Sequence, residues 1–107
     1  MDKHLNAFIE AHPHGWSHAE WLALLGTLDQ DGIDVSDPEA IGYELENRRL
    51  AWELRRSEVP GLGPKRIDAI VDRFGTLWSL QHAEVEELAG IKTIPGALAE
   101  KVVAAVR

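Results

Sequence analysis

Apolar residues recur along the chain at intervals of three and four positions, the spacing that places them on one face of an α-helix. Sets of this kind occur at Leu5, Phe8 and Ile9, at Trp21, Leu24, Leu25 and Leu28, and at Ile67, Ile70, Val71 and Phe74. Alternating runs of β-branched residues, which would indicate strands, are absent. The pattern therefore predicts an all-α fold.

Helix start and stop signals divide the chain into seven helical segments. Ser17 followed by Glu20 forms a capping box, and Asp37-Pro38 supplies an N-cap acceptor with a proline at the first helical position. We predict helices at about residues 2–11, from the Ser17 cap to Asp31, at about 38–56 and from Pro64 to a stop at Gly75. A short turn capped by Thr76 follows through Leu77, Trp78 and Leu80, and further helices are predicted at about 83–89 and about 96–106.

Composition narrows the class of protein. The 107 residues include no cysteine, which excludes a disulfide framework and a thiolate zinc site. No apolar run approaches the roughly 20 residues of a membrane span, and the first residues carry acids where a signal peptide would be apolar. We expect a soluble, cytoplasmic protein with no membrane partner.

The charge distribution is uneven. The formal net charge is −7, which argues against indiscriminate nucleic-acid binding through a general positive field. Residues 1–50 hold 3 Lys or Arg against 10 Asp or Glu, whereas residues 51–107 hold 8 of each. All of the excess acidity therefore lies in the first half of the chain.

Residues 59–66 read VPGLGPKR and lie between two predicted helices. Glycine is favoured where φ is positive or where another backbone approaches closely, so both uses are open for Gly61 and Gly63. Backbone N–H groups in such a turn can converge on an anion, and Lys65 and Arg66 follow directly. A tight helix-helix turn with incidental surface charge is the alternative.

Over residues 59–107 the chain resembles the tandem helix-hairpin-helix domain of DNA-repair and recombination proteins, such as the C-terminal region of excinuclease C. VPGLGPKR matches the hairpin of that family, and RFGTLWSLQHAEVEELAGI matches its connector. The resemblance implies a compact helical domain with a hairpin pair in the C-terminal half and additional helices before it. We recognise no family in residues 1–58, which we assign to an N-terminal helical segment.

In that family the hairpin presents backbone N–H groups to DNA phosphates without reading bases. The resemblance implies contacts at Leu62, Gly63 and Lys65, with Gly61 shaping the turn and Arg66 assisting. Such contacts position a protein on duplex DNA but carry little sequence information.

The second hairpin departs from the family pattern. Thr93 and Pro95 occupy its two glycine positions, and Ala97 stands where lysine is common. Proline has no N–H to offer, and threonine resists the backbone angles that glycine accepts. We predict that this hairpin is degenerate, weak or inactive in DNA contact, and retained for packing or partnership.

Two further features of the sequence give no support for a metal site or for catalysis. Pro13, Gly15 and the Ser17 cap separate the histidines at 12, 14 and 18, so their spacing favours surface histidines over a metal site. No set of catalytic residues is indicated by spacing, so we predict no enzyme activity, no cofactor and no bound metal.

The sequence thus predicts non-catalytic, sequence-nonspecific binding of duplex DNA through the 61–63 hairpin, with Lys65, Arg66 and the arginines that end the third helix, Arg55 and Arg56. The alternative for those two arginines is favourable interaction with the carbonyls at the helix C-terminus. The alternative function is a protein-interaction or homodimerisation module built on the same scaffold.

Overall fold

A computed structural model describes all residues, 1–107, and contains only helices and loops. The helices are α1 (Asp2–Ala11), α2 (His18–Gln30), α3 (Pro38–Arg56), α4 (Pro64–Phe74), α5 (Leu77–Gln81), α6 (Val85–Ala89) and α7 (Gly96–Val106). The predicted all-α fold is confirmed. None of these helices combines the length and apolarity that a membrane crossing requires.

The N-terminal caps of α2 and α3 form the hydrogen bonds that the sequence predicts. The Glu20 N–H donates to Ser17 Oγ at 3.1 Å, and the Ser17 N–H donates to Glu20 Oε1 at 2.8 Å, which completes the capping box. The Ala40 N–H donates to Asp37 Oδ1 at 3.2 Å at the start of α3. Each bond satisfies an N–H that has no partner inside its own helix.

One predicted boundary shifts. We predicted that the sixth helix begins at about residue 83, but α6 begins at Val85. Glu84 lies before the helix in an extended conformation, and its N–H donates to Glu87 Oε1 at 3.2 Å. The acid at the third helical position thus closes a cap around Glu84 and sets the later start.

The helices form two compact units, residues 1–48 and 49–107, and the division falls inside α3. The first unit contains α1, α2 and the beginning of α3. Its largest fully buried side chains are Leu5, Ile9, Leu28 and Leu45. With 2 Lys or Arg and 10 Asp or Glu, this unit has a formal net charge of −8.

The second unit contains the end of α3 and α4 to α7, and it has a formal net charge of +1 from 9 Lys or Arg and 8 Asp or Glu. Its core comprises Leu50, Leu54, Ile67, Ile70, Leu77, Leu80, Leu88, Ile94, Leu98, Ala99, Val102, Val103 and Val106. The second unit contains two helix-loop-helix hairpins that pack on this core. Hairpin 1 joins α3 to α4, and hairpin 2 joins α6 to α7.

Candidate nucleic-acid interface

Hairpin 1 turns at residues 59–62. The Leu62 N–H donates to the Val59 carbonyl at 3.1 Å, and Gly61 has a φ of +88°. With Pro60 as the second residue, these are the features of a type II turn, which requires a positive φ at its third residue. Gly61 is therefore needed for its backbone conformation.

Gly63 has a different reason to be glycine. Its φ of −89° and ψ of 179° are extended values that any residue adopts. A methyl group placed on Gly63 would meet nothing within 4 Å. The absence of a side chain at Gly63 leaves the outer surface of the hairpin open.

The start of α4 leaves a small group of N–H donors unused. The N–H groups of Gly63, Lys65 and Arg66 donate to no acceptor within the chain, and Pro64 has no N–H. The Ile67 N–H closes the first helical bond, to the Gly63 carbonyl at 3.0 Å. Of the three contacts that the family resemblance implies, Leu62 has its N–H already bonded within the turn, whereas the N–H groups of Gly63 and Lys65 are free.

Lys65 occupies a position that helix electrostatics disfavours. It lies in the first turn of α4, where the helix dipole is positive and a cation costs roughly 0.3–1 kcal/mol. Its side chain is exposed and makes no hydrogen bond or ion pair within the chain. No ion pair with a carboxylate of the chain offsets this cost.

Arg66 follows Lys65 in the sequence, but its side chain is hydrogen-bonded within the protein. Its Nε donates to the Thr93 carbonyl at 2.8 Å, and its Nη1 donates to the Gly61 carbonyl at 2.7 Å. The side chain is half-buried. Arg66 thus connects the turn of hairpin 1 to the turn of hairpin 2, rather than extending freely into solvent.

The two arginines at the end of α3 also differ from each other. Arg55 is exposed and has no ion pair. Arg56 contacts Glu53 Oε1 at 3.3 Å through Nη2, and its guanidinium lies 4.8 Å from the centre of the Trp52 ring. Arg55 therefore carries the unpaired charge at this helix end.

Hairpin 2 repeats the hydrogen bonds of hairpin 1. The Ile94 N–H donates to the Ile91 carbonyl at 3.0 Å, and the Ala99 N–H donates to the Pro95 carbonyl at 2.9 Å. Thr93 corresponds to Gly61 in this register but does not share its positive φ. Pro95 provides no donor, whereas the N–H groups of Gly96 and Ala97 have no partner.

An open cleft of about 570 Å³ is lined by Gly63, Pro64, Lys65, Arg66 and Thr93. Its lining includes Gly63 and Lys65, whose N–H groups are free, and Thr93, whose carbonyl Arg66 binds. Residues of both hairpin turns therefore lie on one surface of the second unit.

Among the histidines of the first unit, His12 makes two polar contacts within the chain. His12 Nε2 lies 2.6 Å from Glu20 Oε2, and His12 Nδ1 lies 2.8 Å from the Phe8 carbonyl. The Glu20 pKa is lowered from 4.5, mainly by the hydrogen bond from the Ser17 backbone and then by the Ser17 hydroxyl. No group of three or more His, Cys, Asp or Glu side chains is arranged to hold a metal ion.

Comparison with known proteins identifies the second unit. A family model described as a SAM-like helix-hairpin-helix tandem matches residues 54–107. This match confirms the resemblance seen in the sequence and extends it into the end of α3. No solved structure matches the chain.

The curated relatives include UvrABC system protein C from several organisms. The protein from Symbiobacterium thermophilum is 42% identical over 64 residues, which cover 59% of this chain and 10% of that protein. The protein from Sodalis glossinidius is 41% identical over 95 residues, which cover 89% of this chain and 16% of that protein. The chain thus matches only a small part of each relative.

Proposed function

The chain belongs to the SAM-like helix-hairpin-helix tandem family, and on that premise we propose that it is a non-catalytic module that binds the phosphate backbone of duplex DNA. The observation that carries the proposal is the start of α4. There, unpaired N–H groups at Gly63 and Lys65 adjoin an exposed, unpaired Lys65 side chain.

The electrostatics of α4 support an anionic ligand. Free N–H groups at a helix N-terminus and the positive end of the helix dipole both favour a bound phosphate. Lys65 is unfavourable in this place without a ligand, and it becomes favourable once a phosphate lies among the donors. A residue placed against local stability in this way is best explained by its ligand.

Gly63 supports the same interpretation. Because its backbone angles suit any residue and its surroundings are open, stability does not require glycine there. A DNA backbone could approach the N–H groups more closely without a side chain at this position. The contacts would go to phosphate alone, so binding would not depend on base sequence.

We place this binding in DNA repair, because the relatives are UvrABC system protein C. The module would act without a cofactor and would add DNA affinity to a repair reaction whose chemistry is carried out elsewhere. Its expected location is the cytoplasm, where a bacterial chromosome is accessible.

Affinity should be modest and should depend steeply on salt concentration. Hairpin 1 and Arg55 together supply few cations, and hairpin 2 lacks a lysine at Ala97. Each phosphate that is neutralised contributes about −0.9 to the slope of log K against log[salt].

The test is a titration of a fluorescent duplex with the native protein, Lys65→Ala and Lys3→Ala at several salt concentrations. Lys3→Ala makes the same change in net charge at an exposed position in α1. Lys65→Ala should bind more weakly, and its salt slope should be less steep by about 0.9. Lys3→Ala should bind as the native protein does. Equal affinities for all three proteins would refute the proposal.

A second candidate function is favoured by the first unit. Its net charge of −8 repels DNA and suits a basic protein surface. Under this alternative the hairpins are a scaffold, and the chain binds a protein partner or a second copy. Sedimentation distinguishes the two: a stable dimer that does not bind duplex DNA at low salt would favour the interaction module.

A further inference from the structure

We infer that Arg66 is a positioning residue that locks the two hairpin turns together and so sets the geometry of the phosphate-binding donors, an inference that rests on the proposed function. The sequence predicts that Arg66 assists DNA contact as a surface cation. Its partners in the structure are instead two backbone carbonyls, one from each hairpin.

The first support is the geometry of the guanidinium. Nε and Nη1 bind the Thr93 and Gly61 carbonyls at 2.8 and 2.7 Å, so one planar group holds two turns, the farther of them 27 residues away in sequence. Arginine presents its donors in a rigid fork, whereas lysine offers a single flexible ammonium. Only arginine can hold both carbonyls in a fixed arrangement.

The second support is the position of Gly61. Its carbonyl is bound by Arg66, and a methyl group placed on Gly61 would lie 3.8 Å from Leu98 Cδ1. Leu98 occupies in α7 the register position that Arg66 occupies in α4. Each hairpin therefore brings the corresponding side chain close to the turn of the other: Arg66 hydrogen-bonds to the Thr93 carbonyl, and Leu98 lies beside Gly61.

The third support is the place of Arg66 in the helix. Like Lys65, it is a cation in the first turn of α4, where the dipole disfavours positive charge. For Arg66 the two carbonyl hydrogen bonds offset that cost, so its presence is explained within the protein. Lys65 and Arg66 are neighbours in sequence with separate roles, one toward the ligand and one toward the scaffold.

The consequence for binding is that loss of the lock should weaken DNA contact even when the charge is kept. With Arg66→Lys, the Gly61 turn and the adjoining donors of Gly63 and Lys65 are no longer held against hairpin 2. We expect affinity for duplex DNA to fall about ten-fold, the factor that corresponds to one hydrogen bond from a charged group.

The matched pair for the test is Arg66→Lys and Arg73→Lys, which make the same charge-conserving substitution in α4. Duplex titrations over several salt concentrations are combined with ¹H–¹⁵N NMR spectra of the free proteins. The amides of Leu62 and Ile94 share peptide groups with the carbonyls that Arg66 binds. Arg66→Lys should shift both resonances, reduce affinity and lessen the salt slope by about 0.9 or more. Arg73→Lys, at an exposed position near the end of α4, should leave the resonances and the affinity close to native.

General destabilisation is separable from positioning. A smaller folded fraction lowers affinity by one factor at every salt concentration, so it leaves the slope unchanged. If Arg66→Lys binds more weakly with an unchanged salt slope, and its urea titration shows a lower unfolding free energy, the inference is overturned. Arg66→Gln provides a second variant: if it loses affinity while Arg66→Lys binds like the native protein, Arg66 acts only as a charge and the inference fails.

The experiments distinguish failure of the positioning role of Arg66 from failure of the proposed DNA-binding function. If the native protein binds DNA and Arg66→Lys binds equally well, the DNA-binding function stands and the positioning role is refuted. If the native protein binds no duplex at low salt, the proposed function is refuted and the role of Arg66 toward DNA falls with it. Unshifted Leu62 and Ile94 resonances in Arg66→Lys would refute the lock itself, whether or not DNA binds.

Discussion

Replacing each of the two hairpin glycines with alanine should separate backbone conformation from ligand access. Gly61→Ala puts a side chain on a residue whose φ is +88°, whereas Gly63→Ala puts one on a residue whose φ is −89°. Both substitutions remove the same conformational freedom from the unfolded chain. The difference in unfolding free energy between the variants therefore isolates the cost of the positive φ.

The magnitude follows from the surroundings of each glycine. A methyl group on Gly61 would lie 3.8 Å from Leu98 Cδ1, an ordinary contact, so no steric clash adds to the conformational cost. A left-handed conformation costs an L-residue about 1–2 kcal/mol. Restricting the unfolded chain returns about 0.4–1 kcal/mol in either variant. We expect Gly61→Ala to be less stable than Gly63→Ala by about 1–2 kcal/mol, and Gly63→Ala to be at least as stable as the native protein.

Urea unfolding followed by tryptophan fluorescence measures these differences, and duplex titration measures the effect on binding. Gly61→Asn should recover part of the loss, because asparagine tolerates positive φ better than alanine does. Gly63→Ala should bind DNA more weakly despite its undiminished stability, because its methyl group separates the phosphate from the N–H donors. If Gly61→Ala proves as stable as Gly63→Ala, the assignment of separate roles to the two glycines is wrong.

Two further predictions concern other backbone and capping features. Glu58 is the one non-glycine residue with a positive φ, at +52°, so Glu58→Gly should raise the unfolding free energy by roughly 0.5–1 kcal/mol. Glu58→Ala keeps the unfavourable φ and should gain less in the same urea titration; equal gains would point to charge instead. The Ser17 backbone hydrogen bond holds the Glu20 pKa below 4.5, so its stabilisation is present above that pH and is lost as pH falls through the lowered pKa. The stability difference between native protein and Glu20→Ala should accordingly shrink as the pH is lowered from neutral to below that pKa; a constant difference would contradict the capping role of the ionised carboxylate.

The sequence by itself determined the local structure of this protein. Helix ends depend on signals within three or four residues, such as Ser17 with Glu20 or the glycine at position 75, and these are readable from a single chain. The hairpin motif was readable for the same reason, since a type II turn favours proline and glycine at its two central positions. The family resemblance rested on that motif together with the connector RFGTLWSLQHAEVEELAGI.

Only the tertiary structure decided which of the hairpin's charged groups are available. Arg66 and Lys65 look alike in sequence, but the acceptor for Arg66 Nε is a carbonyl 27 residues away that no local pattern reveals. Arg55 and Arg56 differ for a local reason instead, because Glu53 and Trp52 lie three and four residues before Arg56 in the same helix. Side-chain pairing depends on which surfaces meet in three dimensions, so a cation's freedom to bind a ligand becomes visible only once the chain has folded.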